Sequence, residues 1–180
     1  MKLDSLVPVP SRDAMNTGLH AAGTLHMLSL LGVPGKPTRN CSSVTNAKLR
    51  ARLTTRDVGP FSVTGLEPAV ASLARIFAEV RVKEPEVYAQ VKTAGMTCCR
   101  LIRGAKATYS IHSWGAAIDL YFGAGVAPLG QKVTHMGVLK LYKYFHEEGW
   151  YWGAAFGRCD AMHFEVARET LREWRRKGWI

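Results

Sequence analysis

Acidic residues are scarce in this sequence of 180 residues. Fourteen Asp and Glu stand against 24 Lys and Arg, which gives a formal net charge of +10. This excess predicts attraction to an anionic partner such as nucleic acid, a membrane surface or an acidic cell-wall polymer. No apolar run approaches the length of a membrane span, and the first residues lack the layout of a secretory signal. We therefore expect a soluble protein, made in the cytoplasm without a signal peptide and not inserted in a membrane.

Cysteine is also rare, and no Cys-x-x-Cys pair of the kind that marks structural zinc sites is present. The four cysteines are Cys41, Cys98, Cys99 and Cys159. Adjacent Cys98 and Cys99 are an awkward start for a disulfide framework, so we expect all four thiols to be reduced. Internal repeats and low-complexity segments are absent. The length and the 47% hydrophobic content predict one domain over residues 1–180.

Apolar residues recur at helical spacing in two segments, 66–81 and 136–148, and these predict the main helices. In the second, Leu139, Tyr142 and Phe145 are expected to face inward. Further helices are predicted at 13–31, 47–53, 85–91 and 170–177, strands at 93–104, 116–122, 150–153 and 162–166, and at most one short strand at 58–65. This mixture predicts an α+β fold with a small, mostly antiparallel sheet flanked by helices.

Two histidines and an aspartate form a pattern that suits a metal ion. His112 and Asp119 lie in Ser110-Ile-His112-Ser-Trp-Gly115-Ala-Ala-Ile-Asp119, and His163 lies in Asp160-Ala-Met-His163-Phe-Glu165. Imidazole and carboxylate groups suit zinc, and three protein ligands leave a fourth position for a water or a substrate oxygen. Asp160 can reach that water from beside the metal and take its proton. The pattern is typical of a catalytic metal site.

Together with Trp152-Gly153, these motifs resemble the zinc D,D-carboxypeptidase and L-alanyl-D-glutamate endopeptidase family (peptidase family M15). That family cuts the peptides of bacterial peptidoglycan and includes phage endolysins. The resemblance covers residues 95–167 as the catalytic core, and it implies a hedgehog or D,D-peptidase type of fold in which the sheet carries the ligands. Residues 1–90 are expected to be a helical N-terminal part whose role the sequence does not reveal.

The resemblance also implies a role for each motif residue. His112, Asp119 and His163 would bind Zn2+, and Asp160 would be the general base. Arg100 is the first choice for stabilising the oxyanion of the tetrahedral intermediate, with Arg103 as the second choice.

Several neighbours of the motifs have open interpretations. Trp114 and Trp152 either wall a cleft or pack in the core, and Glu165 either holds a ligand imidazole or forms a structural salt bridge. Gly115 is expected to permit a tight turn between two ligands. Two further histidines match no motif position and are predicted to be surface groups, namely His135 and His146.

The leading hypothesis is a monomeric zinc peptidase that acts on peptidoglycan stem peptides at the bacterial cell wall, released on lysis. An L-Ala–D-Glu endopeptidase is preferred over a D-Ala–D-Ala carboxypeptidase. The second hypothesis is a zinc-containing binding domain without catalysis, which would be expected to lack the base. The third is a nucleic-acid-binding protein, which only the charge supports, since no binding motif is present. Wall affinity would come from a basic surface that includes Arg168, Arg172, Arg175, Arg176 and Lys177.

Overall fold

The computed structural model describes residues 1–180 and has an α+β fold with six α-helices and eight β-strands. The helices are α1 (Thr24–Leu31), α2 (Ala47–Arg50), α3 (Glu67–Lys83), α4 (Pro85–Gln90), α5 (Met136–Glu147) and α6 (Arg168–Arg176). The strands are β1 (Leu6–Pro8), β2 (Leu53–Asp57), β3 (Ser62–Leu66), β4 (Lys92–Gly95), β5 (Ala117–Tyr121), β6 (Val133–His135), β7 (Trp150–Trp152) and β8 (His163–Val166). None of the helices has the length and hydropathy of a membrane span.

All strands pair in antiparallel fashion, in three sheets. The largest has the order β4-β5-β8-β7, while β1 pairs with β6 and β2 pairs with β3. In the largest sheet Asp119 of β5 lies opposite His163 of β8, and Ala117 lies opposite Glu165. Residues that face each other across neighbouring strands point to the same side of a sheet. This register therefore brings the two sequence motifs together.

An aromatic core connects the main helices to the strand that carries His163. The α3 helix forms as predicted and buries one face, with Pro68 in its first turn, where a missing N–H is tolerated. Phe77 of α3 contacts Phe145 of α5 at 6.2 Å between ring centroids, and Phe145 contacts Phe164 of β8 at 4.3 Å. One cluster of buried residues contains members from both ends of the chain, from Leu3 to Ile180. The first ninety residues therefore pack on the same core as the rest.

Several predicted elements differ from the structure. The helix expected at 13–31 begins only at Thr24, because Asn16, Gly18 and Gly23 adopt positive φ angles that a right-handed helix does not contain. The strand expected at 93–104 ends at Gly95, after a register shift against β5. A hairpin of two strands, β2 and β3, replaces the single strand expected at 58–65.

The inward face predicted for α5 was only partly right. Leu139 and Tyr142 are half-buried, whereas Val138, Leu141 and Phe145 form the centre of the buried face. His135 is buried rather than exposed, and its Nδ1 accepts a hydrogen bond of 3.1 Å from the backbone N–H of Phe122. The prediction that His135 is a surface group was therefore wrong.

The expectation that all cysteines are reduced was also wrong. Cys41 and Cys98 are joined by a disulfide, with their Cα atoms 5.1 Å apart, while Cys99 and Cys159 are free and buried. Consecutive side chains of an extended segment point in opposite directions. Cys99 pairs with Ser42 as a β-bridge, so the segment is extended, and only Cys98 faces Cys41. Adjacency thus does not prevent one of the two thiols from pairing.

Candidate active site

Three side-chain atoms from the predicted ligands converge at the centre of the largest sheet. His112 Nε2 lies 3.2 Å from Asp119 Oδ1 and 3.2 Å from His163 Nδ1, and His163 Nδ1 lies 3.1 Å from Asp119 Oδ1. A tetrahedral zinc ion with ligand bonds of about 2.0–2.1 Å needs ligand atoms about 3.3–3.4 Å apart. The two imidazoles and the carboxylate therefore fit zinc both in chemistry and in spacing.

A tight turn carries the chain from His112 to Asp119. His112 lies in a 3-10 turn at Ile111–Trp114, and Gly115 then adopts a left-handed conformation with φ of 65°. A Cβ atom at Gly115 would come within 2.8 Å of the Gly65 Cα and of the Leu66 nitrogen, which donates a hydrogen bond to the Gly115 carbonyl. Only glycine suits both the φ angle and the space, so the predicted turn is present.

Each of the two candidate ligand histidines is held through its second ring nitrogen. His112 Nδ1 donates to the Met96 carbonyl at 2.7 Å, and His163 Nε2 donates to Glu165 Oε2 at 3.1 Å. Such bonds set the tautomer and ring orientation of metal-binding histidines. They leave His112 Nε2 and His163 Nδ1 directed at the common centre. Of the two interpretations open for Glu165, contact with the ligand imidazole is the one that the structure shows.

Opposite charges meet at this centre. Burial raises the pKa of Asp119, but the charge of His112 and hydrogen bonds from both histidines outweigh it and hold that pKa well below its usual range. Burial lowers the pKa of His163, but its bonds to Asp119 and Glu165 outweigh burial and raise the pKa to about 10. A bound metal ion would take the position of the proton on His163, because a ligand imidazole must be neutral.

Asp160 lies in the loop between β7 and β8, beside the ligands. Its backbone N–H donates to the Gly153 carbonyl at 3.0 Å, and its own carbonyl accepts from the His163 N–H at 3.2 Å. Burial raises the pKa of the Asp160 carboxyl above its usual range, against the opposing charges of His163 and Arg100. The carboxyl is thus within electrostatic reach of a ligand and of a cation.

The two candidate arginines differ in position. Arg100 is half-buried, and its backbone N–H donates to the Ser113 hydroxyl at 3.1 Å, next to His112 in the chain. The same hydroxyl donates back to the Arg100 carbonyl at 3.1 Å. Arg103 is exposed in a turn, where the structure shows no contact with the ligands. The Arg100 backbone is therefore bonded next to His112, while its guanidinium donates to the Leu101 carbonyl at 3.2 Å and its charge lowers the pKa of Asp160.

Residues 103–166 match a family model described as D-alanyl-D-alanine carboxypeptidase. This segment of the chain is similar to the M15 peptidase family. Comparison with curated proteins and with solved structures gave no match. The resemblance expected from the motifs is confirmed over this segment, which contains His112, Asp119, Asp160 and His163.

The two tryptophans of the matched segment pack rather than line a cleft. Both are fully buried, and their indole N–H groups donate to backbone carbonyls, Trp114 to Gly32 at 2.9 Å and Trp152 to Ala161 at 2.8 Å. The aromatic ring beside the site is that of Phe156, whose centroid lies 5.7 Å from the ring of His163. No periodicity or motif in the sequence pointed to Phe156.

Residues outside the matched segment complete the site. Met96 holds His112, Ala22 donates its backbone N–H to Glu165 Oε1 at 2.8 Å, and Arg100 precedes the M15 match. Backbone groups supply the first two contacts. A sequence does not mark such contacts, because every residue other than proline carries the same N–H and C=O.

Proposed function

We propose that this protein is a zinc-dependent peptidase that hydrolyses an amide bond in the stem peptide of peptidoglycan, with the L-Ala–D-Glu bond as the first candidate. The M15 match supports peptide hydrolysis. The observation that carries the zinc proposal is the convergence of His112 Nε2, Asp119 Oδ1 and His163 Nδ1 within 3.1–3.2 Å of one another. Asp160 and Arg100 beside this centre support catalysis rather than metal storage.

The residues have complementary roles in amide hydrolysis. Zinc, when bound by the three ligands, supplies a Lewis acid that lowers the pKa of water and polarises a carbonyl. The Asp160 carboxylate takes a proton from the attacking water and passes it to the leaving amine as the C–N bond breaks. Burial moves the pKa of Asp160 upward, toward neutral pH. A group that must act first as a base and then as an acid is most effective when its pKa lies near the working pH. The guanidinium of Arg100 offers positive charge to the oxyanion.

A D-Ala–D-Ala carboxypeptidase is the second candidate, because the matching family model carries that description. The two activities share the same chemistry and differ in which bond reaches the site. A carboxypeptidase must also bind the free carboxylate of the terminal D-Ala, for which the Arg100 guanidinium offers a cation. The products of the two reactions have different masses, so they are distinguishable in one assay.

We further propose that residues 1–180 act as one monomeric peptidase domain at the bacterial cell wall. The continuous core from Leu3 to Ile180 supports one domain. The net charge of +10 and the exposed basic side chains of α6 support attraction to an anionic wall polymer. These exposed side chains are Arg172, Arg175 and Arg176.

The test is digestion of purified peptidoglycan with wild type, Asp160→Ala and, as a matched control, Asp13→Ala, in which an exposed carboxylate far along the chain is removed. Wild type and control are expected to hold about one zinc ion per chain, as three ligands require, and to release new amino termini. Asp160→Ala is expected to keep the metal and lose activity by about 10²–10⁴-fold.

Mass spectrometry of the fragments names the bond that is cut. Loss of a single D-Ala indicates the carboxypeptidase, and separation of L-Ala from D-Glu indicates the endopeptidase. A wild type that binds zinc and cuts no wall peptide would favour the binding domain. A wild type that binds no metal would refute the zinc proposal itself.

A further inference from the structure

A segment of the N-terminal half contacts both parts of the candidate site. Residues 16–22, here termed the N-terminal strap, lie far outside the M15 match at 103–166. We propose that this strap is a positioning element, which holds His163 and the loop that carries Asp160. The inference rests on the proposed function, because zinc is the ligand that the positioned side chains would bind.

The first contact of the strap completes an exposed sheet edge. β7 is the edge strand of the largest sheet, and Asn16 lies against it at Trp152. The Asn16 Oδ1 accepts from the Trp152 N–H at 2.8 Å, and the Asn16 Nδ2 donates to the Trp152 carbonyl at 3.1 Å. The side-chain amide thus pairs as the peptide group of a further strand would. Asn16 is 5% exposed and is the one non-glycine residue with positive φ, at 56°, a conformation that asparagine tolerates better than most residues.

This edge contact lies at the base of the Asp160 loop. Trp152 is followed directly by Gly153, whose carbonyl accepts hydrogen bonds of 3.0 Å from both the Phe156 and the Asp160 N–H groups. Across the sheet, Trp152 pairs with Phe164, the residue after His163. A shift of the Trp152 backbone would therefore move the proposed base and a proposed ligand together.

The second contact of the strap acts on the His163 imidazole through Glu165. The Ala22 N–H donates to Glu165 Oε1 at 2.8 Å, and Glu165 Oε2 accepts from His163 Nε2 at 3.1 Å. Glu165 is 3% exposed, so water cannot replace either bond easily. Both oxygens face N–H groups. A glutamine here would offer one acceptor oxygen and turn its NH2 group toward the other donor, which leaves two buried donors facing each other.

The strap therefore makes a carboxylate necessary at position 165. With His163 alone as a partner, a glutamine oxygen would suffice. Because the Ala22 N–H donates from the other side, a second acceptor oxygen is needed, which glutamine lacks. A segment outside the matched core thus sets the chemistry of a residue inside it.

The decisive variant is Asn16→Gly, because glycine keeps the left-handed conformation without strain and removes only the two side-chain hydrogen bonds. Thr17→Ala is the matched control, since Thr17 is exposed in the same turn. Zinc affinity is measured by competition with a chromophoric chelator. Glu165→Gln is expected to weaken zinc binding by about ten- to hundredfold, the size of effect known for direct partners of metal ligands. Asn16→Gly, which acts through the Trp152 backbone, is expected to weaken zinc binding by a smaller factor. Thr17→Ala is expected to bind zinc as wild type does.

Two readouts separate positioning from general stability. The visible absorption bands of the cobalt-substituted protein are expected to shift in Asn16→Gly and not in Thr17→Ala, because they report the coordination geometry. In the wild type, zinc is expected to slow hydrogen exchange in the strap and leave exchange in α4 unchanged, since coupling between two sites is reciprocal. This measurement needs no variant and is unaffected by misfolding.

The strap inference is overturned if wild type binds zinc and Asn16→Gly binds it equally well, with unchanged cobalt bands and unchanged exchange in the strap. A lower melting temperature of the metal-free variant alone would then show a structural role only. If the wild type itself fails to bind zinc, the proposed function is refuted together with the strap inference. If the wild type binds zinc and Asn16→Gly behaves as wild type does, only the strap inference is refuted.

Discussion

Replacement of Gly115 by alanine tests whether the turn between two ligands is as tight as the structure indicates. An alanine in a left-handed conformation costs about 1–2 kcal/mol. The new Cβ would also lie 2.8 Å from the Gly65 Cα and from the Leu66 nitrogen. Both are backbone atoms, so they cannot rotate away, and overpacking of this kind adds about 1–3 kcal/mol. We expect Gly115→Ala to lower the free energy of unfolding by about 2–5 kcal/mol in total.

Gly104→Ala is the matched control for this prediction. Gly104 also has a positive φ, of 87°, but a Cβ atom there would meet nothing within 4 Å. It should therefore show only the conformational effect of about 1–2 kcal/mol. Urea unfolding of the metal-free proteins measures both values, and zinc titration then shows whether His112 has moved. Equal destabilisation by the two variants would refute the argument that backbone contact around Gly115 is tight.

Two further predictions concern protons and thiols. Because the pKa of His163 is raised to about 10 in the metal-free protein, this imidazole is protonated at all pH values well below that, and zinc binding at pH 8 should release about one proton from it. Calorimetry in buffers of different ionisation enthalpy measures this number, and a value near zero would contradict the charge assignment. Because Cys41 and Cys98 are joined, denatured protein should show two free thiols before reduction and four after it. Cys41→Ser should lower the free energy of unfolding by about 2–4 kcal/mol, and four thiols without reductant would refute the pairing.

The main helices could be predicted because each buries one face along its whole length. In α3 the apolar residues at helical spacing are all buried, and this repeat is visible in the sequence as Ala69, Val70, Leu73, Ile76, Phe77 and Val80. The start of α1 could not be predicted. Its apolar pattern continues upstream of Thr24. The Asn16 side chain in that region is hydrogen-bonded to Trp152, which is 136 residues away in the sequence. Such a long-range contact outweighs a local pattern and leaves no periodic signal.

The two neighbouring cysteines illustrate the same limit. Whether Cys98 pairs depends on which partner the fold brings within reach, and that partner lies 57 residues away. His135 likewise lies in a strand of three residues, too short for an alternating pattern to show that it is buried. A sequence pattern predicts which face of a long helix or strand is buried. It does not predict whether a single side chain in a short element is buried.

The sequence by itself determined the α+β class, the long helices, the resemblance of one segment to a peptidase family and the residue types of a candidate metal site. These follow from periodicity and from a few side chains whose chemistry is distinctive wherever they stand. Only the tertiary structure decided that the Arg100 backbone is bonded to Ser113 beside His112, that the tryptophans pack, that Cys41 pairs with Cys98, and that Ala22 donates to Glu165. The physical reason is that these contacts join segments distant in the chain, often through backbone N–H and C=O groups, which are the same in almost every residue.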